Sequence, residues 1–85
     1  MENYTIDCTD LQDPRQLHQR LHSILCFPEW YGHNLDALYD CLTERRTDYR
    51  ILLQGWPATA NWASDFEAVF ADAQEDNPHL QVMFL

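Results

Sequence analysis

The chain has 85 residues, with 14 acidic side chains against five basic ones, all arginine, for a net charge of −9. That balance repels phosphate backbones and anionic membrane surfaces, so it argues against nucleic-acid and membrane binding and favours a basic protein partner. The length supports one domain with one modest core, and no repeat or low-complexity segment divides residues 1–85.

Tyr4-Thr5-Ile6-Asp7-Cys8 alternates, with Tyr4, Ile6 and Cys8 on one face, and predicts a first strand. Asp13-Pro14 is a strong helix start, an acceptor at the cap followed by proline at the first helical position. Leu17, Leu21, Ile24 and Leu25 then supply an apolar stripe, so the first helix is expected over Pro14 to Leu25. Phe27-Pro28 closes that region, because the residue before proline is pushed out of the helical basin. Gly32 is expected to let the backbone turn sharply. Asn34 caps a second helix over Leu35 to Glu44, whose apolar stripe is Leu35, Leu38 and Leu42, with Tyr39 and Cys41 at its margins. Arg45 and Arg46 favour its C-terminal end and partly screen its acids.

Tyr49 to Gln54 is continuously apolar at its centre, as for a strand covered on both faces, and Gly55 ends it. Residues 56 to 62 read as a turn or short helix that places Trp56 or Trp62 against the core. Ser64 opens a last helix, with Asp65 and Glu67 in its favourable first turn and Phe66, Val69, Phe70 and Ala73 on one face. Asn77-Pro78 stops it, and Leu80, Val82 and Phe84 alternate in a final strand. The order strand, helix, helix, strand, helix, strand predicts an α/β fold, a small three-stranded parallel sheet with three to four helices. Leu17, Leu21, Leu35, Leu38, Leu42, Ile51, Leu53, Val69, Phe70 and Val82 are its expected core.

The three cysteines, Cys8, Cys26 and Cys41, are an odd number at irregular spacing, which argues against a disulfide framework. They are expected to be reduced, with Cys41 a buried small hydrophobe. His18, His22 and Cys26 recur every four residues, yet no motif supplies a fourth zinc ligand. His18 and His22 read as ordinary surface histidines, with no metal and no cofactor expected. No basic segment followed by an apolar run opens the chain, and no run reaches membrane-span length; a cytoplasmic protein is expected.

Asp36, Asp40 and Glu44 fall at i, i+4 and i+8 on the polar face of the second helix. Like charges at that spacing repel by roughly 0.2–0.5 kcal/mol per pair, and the last two sit toward the negative end of the helix dipole. A local rule broken beside Trp30, Tyr31 and Tyr39 marks a candidate functional surface. The run Phe27-Pro28-Glu29-Trp30-Tyr31-Gly32-His33-Asn34-Leu35-Asp36-Ala37-Leu38-Tyr39-Asp40-Cys41-Leu42-Thr43 resembles the signature of the barstar family of intracellular ribonuclease inhibitors. The resemblance implies the barstar fold for the whole chain. It further implies that Asp40 is the central phosphate mimic and Asp36 its flanking carboxylate. Trp30 would lie over an active-site mouth, Gly32, Asn34, Leu35 and Ala37 would form the docking surface, Tyr39 and Thr43 its edge, and Asp72 a further acidic contact. Tyr31, His33 and Glu44 complete the expected partner-binding surface.

The sequence departs from the family pattern in carrying Trp30-Tyr31 for a common Tyr-Tyr, Tyr39 for a tryptophan, and Glu44-Arg45 for a Gly-Trp pair. These changes retain the carboxylates and alter the rim. Enzymatic readings lack support: there is no Gly-rich phosphate loop and no nucleophile elbow, and Asp36 and Asp40 would stand on an exposed helix with nothing to desolvate them. The expected role is inhibition of a basic, barnase-like ribonuclease of the extracellular type or a toxin, by a chain that is monomeric when free. The alternative is an acidic decoy that mimics nucleic acid for another basic protein.

Overall fold

The computed structural model describes all 85 residues and contains three strands and three helices: β1 (Glu2–Asp7), α1 (Pro14–Ile24), α2 (Leu35–Glu44), β2 (Tyr49–Gln54), α3 (Ala63–Asp76) and β3 (Leu80–Phe84). The strands form one parallel sheet in the order β1-β2-β3. Each crossover leads to the next strand over, and right-handed crossovers of that kind leave all the helices on one face.

Side-chain alternation agrees with this two-layer arrangement. Tyr49, Ile51 and Leu53 of β2 are buried, whereas Arg50 and Leu52 between them are only half-buried. The expectation of a central strand covered on both faces is therefore corrected. With only two crossovers of one hand, no helix remains to cover the other side, where Thr5, Leu52 and Met83 lie in register.

The core is continuous from Ile6 and Cys8 through Leu17, Leu21 and Leu25 of the first helix region to Leu38, Leu42, Phe66, Phe70 and Leu80. Each such side chain contributes about 1.5–3 kcal/mol of burial. Leu35, Val69 and Val82, expected at the centre, are half-buried and pack against its edge.

Two helix ends follow the sequence. Asp13 accepts from the Gln16 N–H and Asn34 from the Ala37 N–H, each in extended backbone, as a helix cap requires. The third does not: α3 starts at Ala63 with Trp62 at the cap position and no side-chain cap bond. Packing decides here, because the Trp62 ring meets Trp56 and Phe66 edge-on, and the Trp56 indole donates to Glu67 at 2.7 Å. Residues 56 to 62 form turns, and both tryptophans are half-buried against the core.

Beyond α2 the chain is held by Asn77, which is wholly buried. Its amide donates to the Leu42 and Arg45 carbonyls at 3.0 Å each, and its side-chain oxygen accepts from the His79 N–H. The Tyr49 hydroxyl donates to the same Leu42 carbonyl at 2.6 Å. These bonds satisfy carbonyls that the end of α2 would otherwise orphan.

Candidate functional site

Trp30 to His33 form the loop that leads into α2, and it rests on an aromatic and imidazole cluster. Tyr31 is only 4% exposed; its ring lies against Phe27, His22 and His33, and its hydroxyl is bonded to His18 Nδ1. The sequence placed Tyr31 on the contact surface; the structure places it underneath, as the support of the loop. Burial pushes its hydroxyl pKa well above the ordinary tyrosine value.

His18 also departs from the surface reading. It is 5% exposed, packed against Phe66 and stacked parallel with His33. Burial, with His33 adding to it, lowers its pKa to about 4. The stripe of α1 is wide enough to take His18 because Tyr31 supplies the hydrogen bond that a buried imidazole requires. His22 Nδ1 pairs with His33 Nε2 at 3.2 Å, and Cys26 lies beyond the end of α1, so the four-residue spacing does not assemble a metal site. No group of three or more histidine, cysteine or acidic side chains is placed to hold a metal ion.

The sharp turn before α2 is made by His33, at φ 52°, and not by Gly32, whose φ is not positive. Histidine tolerates this region better than most residues, and its stacking on His18 and bond to His22 hold it there. At Gly32 a Cβ would come within 2.8 Å of the Asn34 Nδ2, so a larger residue there would push on the side chain that caps α2.

On α2, Asp36, Asp40 and Glu44 are all exposed, and none forms an ion pair. Arg45, expected to screen them, turns the other way. Its guanidinium donates to the Tyr4 hydroxyl and the Leu25 carbonyl, approaches Glu2 at 3.7 Å, and lies over the rings of Tyr49 and Tyr4. Arg46 forms no ion pair either. Ala37 is 8% exposed, so its methyl group is in the core and not on the expected docking surface. Leu35, Tyr39 and Thr43 are half-buried; Gly32, His33 and Asn34 are exposed, and Trp30 is 55% exposed.

α3 extends the acidic surface. The Tyr39 hydroxyl donates to Asp76, whose carboxylate is the main cause of its raised pKa, and Asp72 and Asp40 act on it in the same direction. Three acids from two helices thus converge on one tyrosine. Asp72 is the acid of this helix that the family resemblance singles out. Asp76, one turn after Asp72 on the same helix, was not singled out in the sequence, and its bond to Tyr39 adds it to this surface.

The fold and this surface have the character of an interaction domain: a two-layer α/β unit whose α2 presents carboxylates without ion-pair partners, with an exposed indole, Trp30, in the loop that leads into it. A family model described as Barstar (barnase inhibitor) matches residues 1–85, and the chain belongs to the barstar family. The members of that family are inhibitors, not enzymes. The chain is also 49% identical over 43 residues to a Bacillus subtilis (strain 168) protein named "Putative ribonuclease inhibitor YrdF", a match covering 51% of this chain and 47% of that relative. It thus spans about half the length of the curated relative. No helix is long and apolar enough to cross a membrane.

Proposed function

We propose that this chain inhibits a basic ribonuclease by inserting α2 into the active-site cleft. A nuclease must hold RNA phosphate with arginine, lysine and histidine side chains. Carboxylates on a rigid helix replace that phosphate charge with charge-assisted hydrogen bonds. The observation that carries the reading is the unpaired state of Asp36 and Asp40 on a surface that Asp72 and Asp76 extend around Tyr39. Free carboxylates need no internal partner to be broken before they bind. Trp30, exposed in the loop that leads into α2, offers a large, stiff apolar contact.

In this reading Asp40 is the central mimic, Asp36, Asp72 and Asp76 flank it, and Gly32, His33, Asn34, Leu35, Tyr39, Thr43 and Glu44 form the rest of the contact. Tyr31 and Ala37 act from beneath by fixing the loop and the first turn. The partner is a barnase-like ribonuclease, the free chain is a monomer, and it works in the cytoplasm, where it would protect the cell's RNA.

The test compares Asp40→Ala with Glu75→Ala, a change on α3 that removes the same charge from a residue outside the group acting on Tyr39. Asp40→Ala should leave the fold slightly more stable, because it relieves two repulsive i,i+4 pairs worth roughly 0.2–0.5 kcal/mol each. It should weaken binding to barnase, or to a basic ribonuclease of the source cell, by about 2–5 kcal/mol, a range to which the family's own barnase–barstar pair contributes. Glu75→Ala should change mainly the salt-dependent association rate. Equal effects on the dissociation rate would sink phosphate mimicry. Capture of a DNA-binding protein and no nuclease would favour the decoy role.

A further inference from the structure

His22, half-buried in the last turn of α1, stands outside the proposed contact yet bonds to a residue within it. Its Nδ1 meets His33 Nε2 at 3.2 Å, with the ring planes 79° apart. One nitrogen must donate and the other accept, so the bond needs at least one ring that keeps a free lone pair. His33 is the exposed residue at φ 52°, directly before the Asn34 cap of α2. A side chain other than glycine is unfavourable in that region, so contacts must hold it there.

The pair tolerates one extra proton and not two. The negative end of α1 favours a first proton on His22, and the resulting cation still donates to a neutral His33. A second proton sets N–H against N–H and two positive charges side by side. The surrounding groups do not offset this. From α1, His18 stacks on His33; burial, with His33 adding to it, lowers the His18 pKa to about 4 and keeps that ring neutral in mild acid. From the loop, Tyr31 lies against both rings, and burial raises its pKa and keeps its hydroxyl neutral. From α2 and α3, Asp36 and Asp65 line the cavity that His18 also lines, and neither ring of the pair has a carboxylate at ion-pair distance.

We infer that His22 is a positioning residue for the partner-binding loop, and that its bond to His33 is a latch that acid releases. The latch rests on the nuclease contact proposed above, to which it adds a regulation. The open form binds one proton more than the closed form, so falling pH favours the open form. Histidine side chains ordinarily change charge between about pH 5 and 8, which sets the window. Once His33 is free to leave its left-handed conformation, the loop must be ordered again on binding, and the added charges face a basic partner. Affinity therefore falls in acid.

His22→Asn separates the latch from simple support. An asparagine amide reaches about the position of Nδ1, and it can donate to a neutral His33 or accept from a charged one, so it keeps the bond in acid. On the free chain, backbone 15N heteronuclear NOEs of His33 and Asn34 are compared at about pH 7.5 and 5.5, with imidazole Cε1–H shifts reporting when both rings are charged. The NOEs should fall in the parent and hold in His22→Asn. Unchanged NOEs in the parent with both rings charged would overturn the latch. The second arm is the Kd for barnase over the same range, where titration of the nuclease itself is common to every chain compared. His22→Asn should match the parent at the upper pH, His22→Ala should already bind more weakly there, and the parent should lose at least several-fold more affinity in acid than His22→Asn. Parallel pH profiles for the parent and His22→Asn would overturn this regulation and leave phosphate mimicry standing. Absence of binding at either pH, with the NOE change present in the free chain, would instead overturn the nuclease reading.

Discussion

Asn77→Ala is expected to be among the most damaging single changes at a polar position. The side chain is fully buried and makes three hydrogen bonds, two donated to the Leu42 and Arg45 carbonyls and one accepted from the His79 N–H. Leu42 keeps the Tyr49 hydroxyl after truncation, whereas the Arg45 carbonyl and the His79 N–H lose these bonds. At about 0.5–1.5 kcal/mol net per bond, with the penalty for groups left unpaired, the loss should be roughly 2–4 kcal/mol. For a domain of this size that corresponds to a fall in Tm on the order of 10–20 °C. Urea unfolding followed by tryptophan fluorescence and far-UV circular dichroism measures it directly. Asn77→Asp sharpens the test, because it keeps the acceptor for His79 but turns a carboxylate toward two carbonyls; it should cost at least as much as alanine. The reasoning is refuted if Asn77→Ala loses less than about 0.5 kcal/mol, or if Asn77→Asp is as stable as the parent.

Leu38→Ala, at a fully buried position of α2, should cost about 2–5 kcal/mol in the same urea assay. Stability should also fall between pH 6.5 and 4. The His18 pKa is about 4 folded against 6.5 unfolded, so across that window the unfolded chain binds the extra proton. The folded state gains from a neutral His18 above pH 6.5, and up to about 3 kcal/mol is lost on acidification. Asp7 and Asp10, with pKa values lowered by Thr9 and Arg20, titrate below this window, and His18→Gln should flatten it. Finally, EDTA should leave the Tm unchanged; a chelator-sensitive Tm that depends on His18 and His22 would show a metal clasp.

The elements were legible because their signals are local. Asp13-Pro14 and Asn34 place helix starts through bonds that span only three residues, and the order of strands and helices leaves parallel crossovers as the natural connection. The acids of α2 stood out for the same reason, since their repulsion is a property of one helix face. The roles of His18, Tyr31 and Gly32 were not legible. Spacing places a residue on a face but does not say what meets it there, and Tyr31, thirteen positions from His18, supplies the partner that makes burial tolerable. Arg45 could as well have screened its own helix; the rings of Tyr4 and Tyr49, brought together only when β1 pairs with β2, draw it away and leave the carboxylates unpaired. The convergence of Asp40, Asp72 and Asp76 on Tyr39 likewise required α2 and α3 to pack side by side. Charge and element order are written along the chain, whereas which charges remain free depends on contacts between residues distant in it.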